Sequence, residues 1–407
     1  SPTIGLQISS GSVDVSTLNI NSATGKYLVL SSHSGIISNS TFTLPDSTTD
    51  AVIDIQSTNT TFSGTTTIKA TDTSVEFDNN LNIFDIDSSY TTSNIPDIVF
   101  DTPSIFKLTS GQSYELFSNT TFNGTVNCDN ATFSRGTEAK SICNITLKDD
   151  NKTFTSMTLS SCGALILENV STSSTISSFT NNSSPDIGLQ ITSGSANLDI
   201  VDIKDSTNEF VKLVSHSGTI KDLKLNTTTT FNKTFVEIAS GVTTTFSNTD
   251  VNDNGIYIKG TLDHDGSEDI IVDNDTSRTI SDLVIDSGDT LVLSSNMKLP
   301  SNLVVNGTIT SSGKTFTTTG NGNITINSQS SVQTTTFSSC GLIKLVNLDT
   351  TSTMSSLTLN SCTGMEVSGG SVDISTLTIK NASSQFLVIS NAHSGTISNF
   401  TIDTNNS

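Results

Sequence analysis

Ser371-Val372-Asp373-Ile374-Ser375-Thr376-Leu377-Thr378-Ile379 is the stretch that decides the fold. Apolar residues alternate with Ser, Thr and Asp, and a small unit, apolar-x-x-apolar, sits at its centre as Ile374-Ser375-Thr376-Leu377. The unit returns as Val15-Ser16-Thr17-Leu18, Ile176-Ser177-Ser178-Phe179, Ile220-Lys221-Asp222-Leu223, Ile280-Ser281-Asp282-Leu283, Met354-Ser355-Ser356-Leu357 and Ile397-Ser398-Asn399-Phe400. Ile37 and Ile200 open looser versions. The starts at 15 and 37, at 176, 200 and 220, and at 354, 374 and 397 are spaced by 20 to 24 residues, a mean of about 22. A period of this size belongs to stacked repeats. It is too short for a four-stranded propeller blade and for a pair of helices, but it suits one coil of two or three short strands.

A longer repeat encloses the short one. Ile4-Gly5-Leu6-Gln7-Ile8 through Ser32-His33-Ser34-Gly35 is copied at Ile187-Gly188-Leu189-Gln190-Ile191 through Ser215-His216-Ser217-Gly218, and more loosely from Gly364 to Gly395. Ser160-Ser161-Cys162-Gly163 recurs as Ser338-Ser339-Cys340-Gly341. These repeats predict an all-β parallel β-solenoid running through 1–407 as one domain, with long repeats at 1–183 and 184–361 and a partial one at 362–407. At ~22 residues per turn the 407 residues would make about 18 turns. At the ~4.8 Å strand spacing these would stack to roughly 90 Å.

The period and the alternating runs resemble the right-handed parallel β-helix superfamily, which includes pectin-lyase-like enzymes and secreted adhesins and fibre proteins. The resemblance covers most of the chain. It implies a coiled β architecture and an extracellular, cell-surface setting.

Composition agrees. Hydrophobic residues are 33% and charged residues 14%, and Ser and Thr make up about a third of the chain. A narrow solenoid has a small core and much outward surface, so this apolar content suffices. Aliphatic residues spread along the whole chain oppose disorder. The net charge of -21 excludes a protein that holds nucleic acid on a basic surface. No run approaches the ~18 apolar residues of a membrane span.

The two ends match each other. Thr396-Ile397-Ser398-Asn399-Phe400-Thr401 and Asn405-Asn406-Ser407, followed by Ser1-Pro2-Thr3-Ile4-Gly5-Leu6-Gln7-Ile8, reproduce the interior passage from Thr175 to Ile191, apart from a three-residue insertion and limited substitution. A solenoid end without a cap leaves a row of unpaired strand groups. The expectation is a structural subunit or segment of a filament, surface appendage or adhesin stalk. It would bind copies of itself head to tail, or adjoining segments of a longer chain, through Ser1, Pro2, Ile4, Leu6, Ile8, Ile397, Phe400, Ile402, Asn405 and Ser407. Such a heterologous contact does not close on itself.

Sites for chemistry are few. Asp250-Val251-Asn252-Asp253-Asn254-Gly255 opens like a calcium loop, but Thr261 stands where a bidentate Glu is wanted. Asp250, Asn252, Asn254, Asp263 and Asp265 are the candidate calcium ligands, against the plainer reading of a solvated acidic face. No other cofactor is expected. His33, His216 and His393 share one corner in three copies, which reads as a structural turn element; His264 has no evident nucleophile partner. Cys340 and Cys362 lie one coil apart and are a disulfide candidate, and Cys128 and Cys143 a second, leaving Cys162 over. Asn39, Asn59, Asn119, Asn123, Asn130, Asn226, Asn232 and Asn306 are glycosylation candidates in Asn-X-Ser/Thr sequences. Polysaccharide degradation is the enzyme alternative. Carboxylate pairs exist at Asp149-Asp150 and Asp263/Asp265, but no Trp and only two Arg (Arg135, Arg278) support them. The chain is therefore read as no enzyme. A glycan-binding stalk is a further alternative. Thr tracts such as Thr227 to Thr230 raise ice binding as another, although they are missing from most coils.

Overall fold

A computed structural model describes residues 2–45, 51–56, 59–72, 75–78, 80–86, 95–137, 139–204, 206–227, 230–231, 235–246, 255–264, 271–273, 282–299, 302–318, 321–390 and 393–403. They form short strands with no α-helix, and every strand pairing is parallel. The chain is a parallel β-solenoid of ~22-residue turns, and its coils divide into two compact units, Ser1–Leu198 with Ser215–Gly218 and Asp199–Val214 with Thr219–Ser407.

Each ladder joins a residue to the one a coil later. In the first unit Ile98 pairs with Thr120, Thr120 with Ile145, and Ile145 with Leu165. In the second, Leu283 pairs with Leu303, Leu303 with Ile324, Ile324 with Ile343, and Ile343 with Met365. The alternation read from the sequence appears as alternation of burial: Ile105–Leu108, Thr125–Cys128 and Lys152–Phe154 each bury every second residue. Inward side chains stack on their own counterparts, so each coil gives the next an apolar floor.

About 15 turns are wound rather than 18. The expected number assumed a uniform period. Ile53 instead pairs with Phe84 and Leu223 with Ile256, steps well above 22 residues. Added residues between strands cost little closure entropy, so ladders keep register while coil length varies.

Corners are fixed by side-chain amides. In the first unit Asn119 Oδ1 accepts the N–H of Asn144 at 2.9 Å, and Asn144 Oδ1 accepts that of Ala164 at 2.7 Å. In the second, Asn302 Oδ1 accepts from Asn323 and Asn323 Oδ1 from Leu342, both at 2.8 Å. Each amide caps a backbone donor that the bend removes from the ladder. Close packing at another corner demands glycine: a Cβ on Gly124 would lie 2.3 Å from the Ser104 carbonyl, and one on Gly307 equally close to that of Asp286.

Candidate functional site

The sequence passage shared by the interior and the two ends is the candidate assembly site. In the interior it folds as one coil passing into the next. Strand Thr175–Asn181 buries Ile176 and Phe179, and strand Ile187–Ile191 buries Leu189 and Ile191. Between them Asn181 is fully buried, and its Nδ2 donates to the carbonyls of Gly163 at 3.1 Å and Gly188 at 3.2 Å. Its Oδ1 accepts the Ser183 N–H at 3.0 Å, and Ser183 Oγ accepts the Cys162 N–H at 2.8 Å. One amide thus ties three backbone groups across the bend.

The matching end residues have the same strands but less cover. In the first unit Leu6–Ile8 pairs with Leu28–Ser31, with Leu6 and Ile8 half-buried and Ile4 exposed. The Pro2 carbonyl accepts the Thr24 N–H at 2.9 Å. In the second unit Ile397–Asp403 pairs with Ile374–Lys380. Phe400 lies over Leu377 and Ile402 over Ile379; the lower residues are buried, whereas Phe400 is 44% and Ile402 48% exposed. Ile397 is half-buried, and Ile389 on the neighbouring strand Leu387–Ser390 is 53% exposed. Ser1, Asn405 and Ser407 lie outside the described residues.

The histidine corner is a clasp between coils. His33 is buried, with Nε2 2.7 Å from the Val13 carbonyl and Nδ1 2.7 Å from Thr60 Oγ1. A carbonyl only accepts, so Nε2 carries a proton and donates it to Val13. His216 repeats the first contact with the Ala196 carbonyl at 2.9 Å, and burial lowers its pKa below the usual histidine range. The ring nitrogens of His393 are buried and find no partner among the described residues.

Of the cysteines, Cys340 and Cys362 are joined, with Cα atoms 4.5 Å apart. Cys128, Cys143 and Cys162 are free and buried. The pairing of Cys128 with Cys143 is therefore corrected. Cys128 ends a strand whose neighbours at its level are Leu108 and Phe154, whereas Cys143 lies beyond the next corner with Sγ toward the Leu116 and Lys140 carbonyls.

Asn39, Asn59 and Asn130 are exposed. Asn119 and Asn123 spend their amide Nδ2 on Asp97 and Asp101, and Asn306 Oδ1 accepts from Asn327 at 2.7 Å. Asn232 and the side chain of Asn226 lie outside the described residues, as do Asp250, Asn252, Asn254 and Asp265. Asp263 is opposite Val292 in strand Gly255–His264, and its side chain also lies outside the description. Among the described residues no group of three or more His, Cys, Asp or Glu is placed to hold a metal, and no helix is long and apolar enough to cross a membrane.

Two groups of titratable residues escaped the sequence reading. Lys212 lies between Glu209, at 3.2 Å, and Glu237, at 2.7 Å. Burial raises the Glu209 pKa, while the Lys212 hydrogen bond lowers that of Glu237. Lys152 is wholly buried, and its Nζ donates to the carbonyls of Gly124 and Asp150, both at 2.8 Å. Burial pulls its pKa down to about 8. The strand alternation Lys152-Thr153-Phe154, which points Lys152 to the same side as Phe154, was the signal for it. No protein family, curated protein or solved structure matches the chain.

Proposed function

We propose that this chain is a structural element of an extracellular filament or surface appendage, extended by head-to-tail addition of further coils of its own kind. One observation carries the reading: the interior passage that the two end segments reproduce folds as an ordinary coil-to-coil joint, with Phe179 and Leu189 buried and Asn181 tying the bend. End segments that repeat this order, with Ile402-Asp403-Thr404 inserted before Asn405, are suited to make a like joint. Their apolar residues Leu6, Ile8 and Phe400 would gain the cover that Leu189, Ile191 and Phe179 have, and Ile402, in the insertion, would be covered beside them. The end residues Ser1, Pro2, Ile4, Ile397, Asn405 and Ser407 complete the joint. The function is then mechanical, carried by backbone ladders and inward stacks. Kinship with the pectin-lyase-like superfamily, glycans on the exposed asparagines and a cell-surface location belong to the same proposal.

Electron microscopy and sedimentation of the purified chain over a concentration series test it. The expectation is end-to-end oligomers that shorten when Phe400→Asp is introduced. Monodisperse single chains at every concentration would overturn self-assembly. Binding to a glycan surface without polymers would favour an adhesin stalk, and release of sugar from polysaccharide an enzyme.

A further inference from the structure

Three corners of the solenoid are built alike on the side of the following coil. The carbonyls of Gly11, Gly194 and Gly370 accept the N–H of Ser34 at 2.9 Å, Ser217 at 3.1 Å and Ser394 at 2.9 Å. Two residues on, the carbonyls of Val13, Ala196 and Val372 press against the place that a Cβ would take on Gly35, Gly218 and Gly395. The three corner glycines share a positive φ, +106°, +120° and +85°. On the side of the preceding coil they differ. The Ser195 N–H donates to the Val170 carbonyl at 2.9 Å, and the Ser371 N–H to the Leu348 carbonyl at 2.7 Å. A Cβ on Gly194 would strike the Val170 oxygen, and one on Gly370 that of Leu348. Val170 and Leu348 are buried, and with them Ala196 (1% exposed) and Val372 (0%). At the first corner a Cβ on Gly11 would meet nothing within 4 Å, and Val13 is 60% exposed. The Ser12 N–H has no partner among the described residues. An open backbone donor beside an exposed aliphatic side chain is the edge surface on which a further coil seats.

We propose, resting on the reading that coils of its own kind extend this chain, that Gly11, Ser12 and Val13 form the docking corner of the N-terminal edge, and that its occupant is a coil of the kind built by residues 163–183. That coil sets an aliphatic residue in the place that Val170 holds against Gly194. Its carbonyl accepts the Ser12 N–H, Gly11 leaves room for the oxygen, and Val13 is covered as Ala196 and Val372 are. The covered valine adds apolar burial, and the accepted N–H fixes the register of the incoming coil.

The test compares the full chain carrying Val13→Cys with the same chain bearing a second copy of residues 163–183 fused directly before Ser1. The added residues then meet Ser1-Pro2 as Ser183 meets Ser184-Pro185 in the interior. Maleimide labelling under native conditions is followed by mass spectrometry, at a concentration where the unextended chain sediments as single molecules. Labelling of the natural chain, whose Cys128, Cys143 and Cys162 are buried, is subtracted. The expected result is that the added coil slows labelling of Val13→Cys at least about tenfold, toward the rate of Val372→Cys. Hydrogen exchange over Ser9–Val15, in chains that keep Val13, should show the Ser12 amide protected only when the coil is added. Labelling of Val13→Cys at the same rate with and without the added coil, or a Ser12 amide left unprotected by it, would overturn the proposal. Single chains at every concentration, with Val13→Cys shielded by the added coil, would defeat self-assembly and leave the docking corner standing. End-to-end oligomers of the natural chain, with Val13→Cys still reactive beside the added coil, would defeat the docking corner alone.

Discussion

The coils between Phe100 and Phe133 in the first unit and those between Ile285 and Phe316 in the second share a frame and differ in filling. The Asn123 and Gly124 N–H groups both donate to the Phe100 carbonyl, at 2.9 and 3.1 Å; those of Asn306 and Gly307 both donate to the Ile285 carbonyl, at 2.8 and 3.1 Å. Yet Phe100, Phe106, Tyr114, Phe122 and Val126 occupy the places that Ile285, Leu291, Met297, Val305 and Ile309 hold in the second unit. The rings of Phe100 and Phe122 stack at 5.0 Å, nearly parallel, and Phe106 and Tyr114 meet edge-on at 5.0 Å. Backbone corners and ladders thus set the coil, and the core fills it with either aromatic or aliphatic residues at close packing.

That contrast can be broken by truncation. Phe122→Ala should destabilise the first unit by about 3–5 kcal/mol, because a ring-sized cavity opens inside a cluster that cannot collapse onto it. Val305→Ala removes less apolar surface and should cost about 1–2 kcal/mol. Regional hydrogen exchange, which reads each unit separately, checks both values. Equal losses would mean that the aromatic stack has no special part in the first unit.

Lys152 sharpens the comparison, since its ladder partner is Val126, and the equivalent partner of Ile309 is Val332. The folded-state pKa of Lys152 is below that of the unfolded chain, so the unfolded state binds more protons between about pH 8 and the ordinary lysine pKa. The penalty is complete below pH 8 and fades as pH rises through that window. Lys152→Val removes this penalty together with the two hydrogen bonds to Gly124 and Asp150, so any advantage over the natural chain should be greatest near pH 7. Its advantage should shrink by roughly 3 kcal/mol on approaching pH 10.5. Denaturant titrations of the two chains at matched pH measure it. Taking the difference cancels the tyrosines and thiols common to both, and an advantage independent of pH would refute the burial of a charge.

The smallest effect belongs to the part the units share. Asn119→Ala and Asn302→Ala each leave one corner N–H without its acceptor, and each should cost about 1–2 kcal/mol. Thermal unfolding should show similar losses in the two units. A loss confined to one would mean that the corners are not equivalent.

Much of this was legible in the sequence. The spacing of Val15, Ile37, Ile374 and Ile397 marks the coil, and in the structure Val15 lies beside Ile37 and Ile374 pairs with Ile397. The shared corner of His33 and His216 is read from their identical surroundings. What escaped depends on contacts one coil away, where step length varies. The Gly163 N–H bonds the Cys143 carbonyl, whereas two residues on Ile145 pairs with Leu165, a local shift that the regular period does not foretell. The Asn119-Asn144 ladder has the same origin, since nothing local distinguishes these asparagines from the outward ones. Lys152 was missed because charge suggests an outward residue, whereas strand alternation points it inward beside Phe154.

The most direct test of the end-to-end joint is hydrogen exchange in a tandem chain, with Ser407 of one copy fused to Ser1 of the next without a linker. The account predicts that strand Leu6–Ile8 of the second copy becomes as protected as Ile187–Ile191, and that Phe400→Asp in the first copy abolishes the gain. Unchanged exchange of Leu6–Ile8 in the fused chain, with both copies otherwise folded, would contradict it.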